Sequence, residues 1–255
     1  MEPHFNQLTI KLFGDGADLA SIERLAADPR IKGFTTNPTL MRAAGVTDYR
    51  SFAHDLLDLV PDRPVSFEVF ADDLATMADQ AREIASWGQN IYVKVPVSTT
   101  EGEFCGPIIA ALSSEGVKLN VTAIMTIDQV VDVRDALANG TPGIISVFAG
   151  RIADTGRDPV PHMANAASLL RDRPELELLW ASPRELLNVF HADATGCHII
   201  TLTAELIRKL SVIGHDLDVY SRETVTMFRK DALASKFEIP LAAIERPRQR
   251  AARAV

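Results

Sequence analysis

Lys94 is a lysine in the middle of the apolar run Asn90 to Pro96, which reads Asn-Ile-Tyr-Val-Lys-Val-Pro. A short run of this kind is typical of a strand buried on both faces in a parallel sheet. A lysine there is costly unless it is paired, neutral or used in a reaction. One interpretation is a strand-end lysine that extends to solvent or pairs with an acid. The other is a neutral amine that attacks a carbonyl and forms a Schiff base.

The elements that must position this lysine follow a regular alternation. Eight apolar runs alternate with segments of helical periodicity, and an extra helix is predicted over Ser221 to Ala234. Eight strand–helix units predict an α/β fold, the (β/α)8 TIM barrel, with an additional C-terminal helix. A doubly wound sheet is the alternative, but Gly14-Asp15-Gly16 is not its usual phosphate turn. The predicted strands are Leu8 to Phe13, Ile31 to Thr36, Val65 to Phe70, Asn90 to Pro96, Lys118 to Met125, Gly143 to Ile152, Leu176 to Ala181 and Cys197 to Leu202.

Helix signals support this division of the chain. Asp18 and Thr126 are expected to cap the helices that follow them, and Pro183 is expected in the first turn of the seventh helix. A helix is predicted from Met163 to Arg171. No linker or low-complexity segment interrupts the alternation, so we expect a single domain over residues 1–255. The basic residues 241–255 are expected to form a disordered, solvated tail.

Polar residues recur at the ends of the predicted strands, where barrel proteins carry out their chemistry. A salt bridge between Lys94 and Glu68, or a helix cap at Asp15, explains single positions, but the whole set indicates a site. An ionised carboxylate beside the amine favours its charged form, so we expect Glu68 to act through a water or to be protonated part of the time. The strand-end residues are Asp15, Asn37, Glu68, Lys94, Thr122, Ser146 with Arg151, and Ser182 with Arg184.

Two of these strand-end residues are arginines. Arg151 and Arg184 can each donate two parallel hydrogen bonds, which suits a dianionic phosphate. They lie at or just after the ends of the sixth and seventh predicted strands, near the usual phosphate position of the barrel fold.

Composition excludes several classes of protein. The chain has 255 residues, 47% of them hydrophobic and 24% charged, which is ordinary for a globular protein. A net charge of -8 argues against a nucleic-acid partner. No apolar run is long enough for a membrane span, and we expect no signal peptide. With two cysteines, no disulfide framework is expected, and a cytoplasmic location fits best. The six histidines form no metal-ligand spacing, so no metal site is expected.

Several of these strand-end stretches resemble the motifs of the transaldolase family, in the same order along the chain. The group they are most similar to contains the small transaldolases and the fructose-6-phosphate aldolases, and the resemblance covers roughly residues 8 to 235. The Thr-Thr-Asn-Pro and Gly-Arg-Ile-x-Asp motifs are specific, whereas Val-Lys-Val-Pro alone is weak. The matching stretches are Gly14-Asp15-Gly16-Ala17-Asp18, Gly33-Phe34-Thr35-Thr36-Asn37-Pro38-Thr39-Leu40, Val93-Lys94-Val95-Pro96, Leu119-Asn120-Val121-Thr122, Ser146-Val147-Phe148-Ala149-Gly150-Arg151-Ile152-Ala153-Asp154 and Ala181-Ser182-Pro183-Arg184.

The resemblance implies catalytic roles for four residues. Lys94 matches the Schiff-base lysine, and Asp15 matches the acid/base of carbon–carbon cleavage. Glu68 and Thr122 match the pair that holds the catalytic water. The implied reaction transfers a dihydroxyacetone unit from a ketose phosphate to an aldose phosphate without a cofactor, as in the pentose phosphate pathway.

Substrate-binding roles are implied in the same way. Asn37 and Asn120 match residues that bind substrate hydroxyls and the enamine, and Ser146 and Phe148 match residues beside the dihydroxyacetone moiety. The phosphate group is matched by Arg151, Ser182 and Arg184. Small members of the family often form ring-like homo-oligomers with a C-terminal helix, which Ser221 to Ala234 would supply.

The chain also departs from the family pattern. Gly16 replaces the usual threonine after Asp15, Val147 replaces a proline, and Pro183 and Glu185 flank Arg184. These departures leave open a substrate outside the pentose phosphate pathway. Two alternatives to transfer also stay open: an aldolase that releases free dihydroxyacetone, and a barrel that has lost catalysis. Glutamine is usual in the aldolases where this chain has Glu68, so Glu68 favours transfer.

Overall fold

The computed structural model describes residues 8–239, in which eight parallel strands close into a barrel in the order β1 to β8. Each strand is followed by at least one helix, so the predicted (β/α)8 architecture is confirmed. The strands of the closed barrel are β1 Lys11–Asp15, β2 Ile31–Thr35, β3 Val65–Glu68, β4 Ile91–Pro96, β5 Leu119–Ile124, β6 Gly143–Val147, β7 Leu176–Trp180 and β8 Ile199–Thr203.

The first ten helices lie around the barrel, and most of them begin at a side chain that accepts a hydrogen bond from the first turn of the helix. Asp18 caps the first helix, and Thr126 and Gln129 form a reciprocal capping box on the sixth. Both predicted caps are therefore confirmed. The helices are α1 Leu19–Ala26, α2 Pro38–Ala43, α3 Tyr49–Leu59, α4 Leu74–Ala85, α5 Gly106–Ser114, α6 Ile127–Ala136, α7 Ala149–Asp154, α8 Pro159–Leu169, α9 Leu187–Ala194, α10 Ala204–Lys209 and α11 Leu217–Ser235.

Two packed layers support the cavity at the top of the barrel. The larger core fills the space between the outer faces of the strands and the helices. A second buried cluster contains Phe13, Ile144, Leu179 and Ile199. The chain neighbours of these residues, such as Ile145 and Ile200, belong to the larger core on the outer face of the strands, so the four side chains point the other way, into the interior of the barrel.

Gly33 makes room for this interior cluster. A Cβ atom added at Gly33 would lie 2.5 Å from Cζ of Phe13, so only glycine lets the Phe13 ring extend across β2. The Phe13 ring helps to fill the interior of the barrel below the cavity.

The structure corrects several predicted element bounds. The strand predicted from Gly143 to Ile152 ends at Val147, and the Gly-Arg-Ile segment lies in α7. The helix predicted from Met163 begins at Pro159, where Asp158 caps it. Pro183 lies in the loop before α9 and outside its first turn, because α9 begins only at Leu187.

The chain divides into two compact units, residues 1–213 and residues 214–255. The barrel belongs to the first unit, and α11 to the second, where it begins at the N-cap Asp216. This helix is longer at both ends than the predicted Ser221 to Ala234. The predicted basic tail, residues 241–255, lies outside the described residues.

Candidate active site

A cavity of about 400 Å³ opens at the carboxyl ends of the strands. Its lining includes the predicted site residues, with the single exception of Arg184. The predicted residues that line it are Asp15, Asn37, Glu68, Lys94, Asn120, Thr122, Ser146, Phe148, Arg151 and Ser182.

Lys94 enters this cavity from the middle of β4. Its neighbours Val93 and Val95 point into the outer core and are fully buried, and Lys94 itself is only 7% exposed. Its Nζ donates hydrogen bonds to the carbonyl oxygen of Thr36 at 2.8 Å and to Oε2 of Glu68 at 3.0 Å. Lys94 and Glu68 lie side by side in the β3–β4 register, so their contact is direct and not through a water.

Asp15 ends β1 and lies at the end of a chain of hydroxyl groups. The hydroxyl of Thr35 donates to Oδ1 of Asp15 at 2.7 Å. The Thr35 proton is used there, so Thr201 donates in the 2.6 Å contact between the two threonine hydroxyls. Burial raises the pKa of Asp15, and it outweighs the opposing effects of the Lys94 charge and the hydrogen bonds from Thr35 and Asn37.

A buried amide connects the neighbouring strands on the other side of Lys94. Asn120 is fully buried; its Nδ2 donates to Oγ of Ser66 at 3.0 Å, and its Oδ1 accepts from Oγ of Ser146 at 2.6 Å. These two bonds fix the orientation of the Asn120 amide. One Nδ2 proton remains available to a ligand in the cavity.

Thr122 and Asn37 bring further polar atoms to the cavity. The Oγ1 of Thr122 is buried and has no hydrogen-bond partner among residues 8–239. The next residue, Ala123, has a φ of 62°, an uncommon backbone conformation for alanine. Asn37 caps α2 by accepting a hydrogen bond from the N–H of Leu40. Its side chain is thereby fixed at the cavity wall.

The predicted phosphate group is only partly assembled. Arg151 lines the cavity, with its guanidinium carbon 5.8 Å from the centre of the Phe148 ring. Arg184 does not line it, because its Nε and Nη2 both bind the carboxylate of Asp154, the former at 2.9 Å. The Arg184 guanidinium also holds the pKa of Asp154 below its usual range. The sequence showed two arginines after neighbouring strands, but not that an aspartate would bind one of them.

The loops after β6 and β7 approach each other closely beside Arg151. Ser182 has a φ of 57°, in the left-handed region. A Cβ atom added at Gly150 would lie 1.5 Å from the carbonyl oxygen of Ser182. No side chain fits at position 150, and the glycine of the Gly-Arg-Ile motif is therefore a requirement of backbone packing.

Sequence reasoning missed Thr35, Ser66, Thr201 and the carbonyl group of Thr36. The period of two along a strand could have identified Thr35 and Ser66, since each precedes a predicted site residue, Asn37 or Glu68, by two positions. The carbonyl group of Thr36 leaves no signal in the side-chain pattern.

The described residues show neither a metal cluster nor a membrane helix. Within residues 8–239, no three His, Cys, Asp or Glu side chains are grouped so that they could hold a metal ion. No helix in the same range combines the length and apolar character that crossing a membrane requires.

The fold and these side chains together define a (β/α)8 barrel with a buried lysine–carboxylate site at the carboxyl ends of its strands. A sequence model described as transaldolase/fructose-6-phosphate aldolase matches residues 12–243, and the chain belongs to this family.

Curated relatives agree with the family match. A protein of Dehalococcoides mccartyi, named a probable transaldolase, is 34% identical over 202 residues, which cover 79% of this chain and 90% of the relative. A probable transaldolase of Streptococcus agalactiae is 36% identical over 201 residues, covering 76% and 86%. These relatives support a function of the aldolase or transaldolase type.

Solved structures agree on the fold alone. A 2,3-dimethylmalate lyase superposes with a TM-score of 0.52 at 14% identity, covering 95% of this chain and 88% of that one. KGPDC from Streptococcus mutans gives a TM-score of 0.51 at 12% identity, covering 77% and 88%.

Proposed function

We propose that the protein is a transaldolase that transfers a dihydroxyacetone unit from a ketose phosphate to an aldose phosphate through a Schiff base on Lys94. The observation that carries this proposal is the buried contact of Lys94 with Glu68 in the same cavity as Asp15. The family to which the chain belongs supports it.

The first half of the reaction forms the imine and breaks a carbon–carbon bond. Glu68 accepts a proton from Lys94, whose Nζ then bonds to C2 of the ketose. The carbonyl oxygen leaves as water, and the imine remains. Asp15 takes the proton of the C4 hydroxyl, the C3–C4 bond breaks, and its electrons move toward the imine nitrogen. An aldehyde departs and an enamine stays on the lysine, so these steps need no cofactor.

The second half reverses this chemistry on the acceptor. The enamine carbon bonds to the acceptor aldehyde, and the new hydroxyl receives a proton from Asp15. Water then hydrolyses the imine and frees Lys94. We assign that water to Glu68 and Thr122, and the buried, unpartnered Oγ1 of Thr122 supports the assignment.

Binding roles follow from the lining of the cavity. Asn37, Asn120 and Ser146 are proposed to bind the hydroxyls of the three-carbon unit, and Phe148 forms a wall beside them. Arg151 and Ser182 are proposed to bind the phosphate. Arg184 joins them only if the substrate displaces Asp154 from it.

Transfer to an acceptor is favoured over release of free dihydroxyacetone. The ion pair of Glu68 with Lys94 requires a carboxylate, whereas the family's aldolases usually carry glutamine at this position.

We place the enzyme in cytoplasmic carbohydrate metabolism. We also propose a homo-oligomer, since α11 carries the apolar side chains Val225, Met227, Phe228 and Leu233.

The first test is borohydride trapping with fructose 6-phosphate, followed by peptide mass spectrometry. We expect a reduced three-carbon adduct on Lys94, and no adduct in Lys94→Met. Lys118→Met is a matched control, because Lys118 directly precedes β5 and its Nζ donates to the carbonyl of Gln89, away from the site. It should still form the adduct.

The outcomes separate the alternatives. An adduct with free dihydroxyacetone accumulating even when an aldose phosphate is present would favour the aldolase. No adduct with any member of a ketose panel, in a folded protein, would contradict Schiff-base catalysis.

A further inference from the structure

The backbone of Glu68 lies where the β2–β3 hydrogen-bond ladder stops. Ladder bonds join Phe34 N–H to the Pro64 carbonyl and Thr36 N–H to the Ser66 carbonyl. In a parallel pair the pattern advances by two residues, so Glu68 N–H would next donate to the carbonyl of Thr36. The Glu68 carbonyl would then need the N–H of residue 38, which is a proline and has none.

Tyr49 supplies both missing partners with one hydroxyl group. Its Oη accepts a hydrogen bond from the N–H of Glu68 at 2.8 Å and donates one to the carbonyl of Glu68 at 3.0 Å. Tyr49 is the first residue of α3, directly after the N-cap Asp48. A helix therefore completes the edge of β3 that β2 leaves open.

The hydrogen bonds of Tyr49 also determine which acceptor is available to Lys94. Since Glu68 N–H is occupied by Tyr49, the carbonyl of Thr36 is left to accept a hydrogen bond from Nζ of Lys94 at 2.8 Å. We propose that Tyr49 is a positioning residue of the lysine site, which fixes the Glu68 backbone and reserves the Thr36 carbonyl for Lys94. The catalytic meaning of this proposal rests on the proposed function.

The surroundings of Tyr49 suit this role. Its ring centre lies 4.6 Å from that of Phe70, 5.6 Å from that of Trp87 and 6.1 Å from that of Phe67, so the ring is held on several sides. Burial raises the pKa of the Tyr49 hydroxyl, which keeps its proton and can donate and accept at once.

The test replaces only the hydroxyl. In Tyr49→Phe the Glu68 N–H regains the Thr36 carbonyl as its nearest acceptor, and Lys94 loses that partner. Misplacement of a reacting group by about 1 Å costs up to about 100-fold. We expect kcat, and the rate of borohydride trapping with fructose 6-phosphate, to fall by about 10- to 100-fold, with KM changed less than about threefold.

Tyr92→Phe is the matched control. Tyr92 is a half-buried strand tyrosine whose ring faces Lys118, and this substitution removes the same atom. It should leave kcat and the trapping rate unchanged.

Each outcome decides the matter. If the wild-type protein traps no adduct with any member of the ketose panel, the proposed function fails; if it traps the adduct and Tyr49→Phe does so at the wild-type rate, the positioning role fails. A lower melting temperature with unchanged kcat would reduce Tyr49 to a structural residue and overturn the proposal. Should Tyr49→Phe not fold, the amide exchange of Glu68 in the wild-type protein decides: slow exchange supports the hydrogen bond, and rapid exchange overturns it.

Discussion

Asp15 faces two opposing demands in the barrel. A general base must lose its proton, but burial raises the pKa of this carboxyl group. The acid limb of kcat/KM should therefore lie above the ordinary aspartate pKa of about 3.9, and activity should be lost as the pH falls through it. Asp15→Asn should lower kcat by about 10²- to 10⁴-fold, measured by steady-state kinetics across pH.

The same residue predicts a pH-dependent change in stability. Because its pKa is higher in the folded than in the unfolded state, ionisation of Asp15 destabilises the folded protein as the pH rises. Asp15→Asn should thus unfold at higher denaturant concentration than wild type at pH 7, and this gain should vanish near pH 4. The exposed Asp58→Asn removes one charge without burial, so it should not show the effect. A gain independent of pH would contradict the argument.

At the scale of elements, the packing of β1 against β2 depends on a large side chain, Phe13, lying opposite a glycine, Gly33. Gly33→Ala should lower the free energy of unfolding by about 1–3 kcal/mol, because the new methyl group would clash with the Phe13 ring. Gly16→Ala is the control, since no atom lies within 4 Å of the added Cβ, and its effect should stay within about 0.5 kcal/mol. Chemical denaturation measures both. Adding Phe13→Leu to Gly33→Ala should recover part of the loss.

Most elements could be predicted from periodicity and caps, and the errors have physical causes. Val147, Phe148 and Ala149 are apolar whether they belong to a strand or to a helix, so the change from β6 to α7 leaves no mark in hydrophobicity. Pro183 is compatible with a helix start. However, Ser182 has a positive φ, and the chain continues as a loop until Leu187.

The residues of the candidate site could be predicted from the sequence better than the hydrogen bonds and ion pairs that they form. Strand-end positions and motifs predicted most of the polar side chains that line the cavity, although not Thr35 and Thr201. They could not give the Asp154–Arg184 pair or the Tyr49 bridge, because each joins residues at least 19 positions apart. Such contacts depend on how helices and loops pack against the barrel.

At the scale of the whole molecule, the division into two units predicts that the barrel folds without α11. The buried core of the described residues ends at Leu210, inside the first unit. A chain ending at Ile213 should therefore keep a cooperative thermal transition and its far-ultraviolet circular dichroism. If α11 forms the proposed oligomer contact, light scattering should show a lower assembly state. An unfolded truncated chain would contradict the first expectation, and an unchanged assembly the second.

Gly150 limits which positions can be varied when the mouth of this barrel is engineered. Since the Ser182 carbonyl occupies the volume that any β-carbon would need, a library that randomises codon 150 would consist almost entirely of misfolded members. Codons 148 and 151 carry side chains that line the cavity, and they are the positions to vary. Selection for new acceptor sugars should accordingly retain glycine at 150, even when both neighbouring codons change.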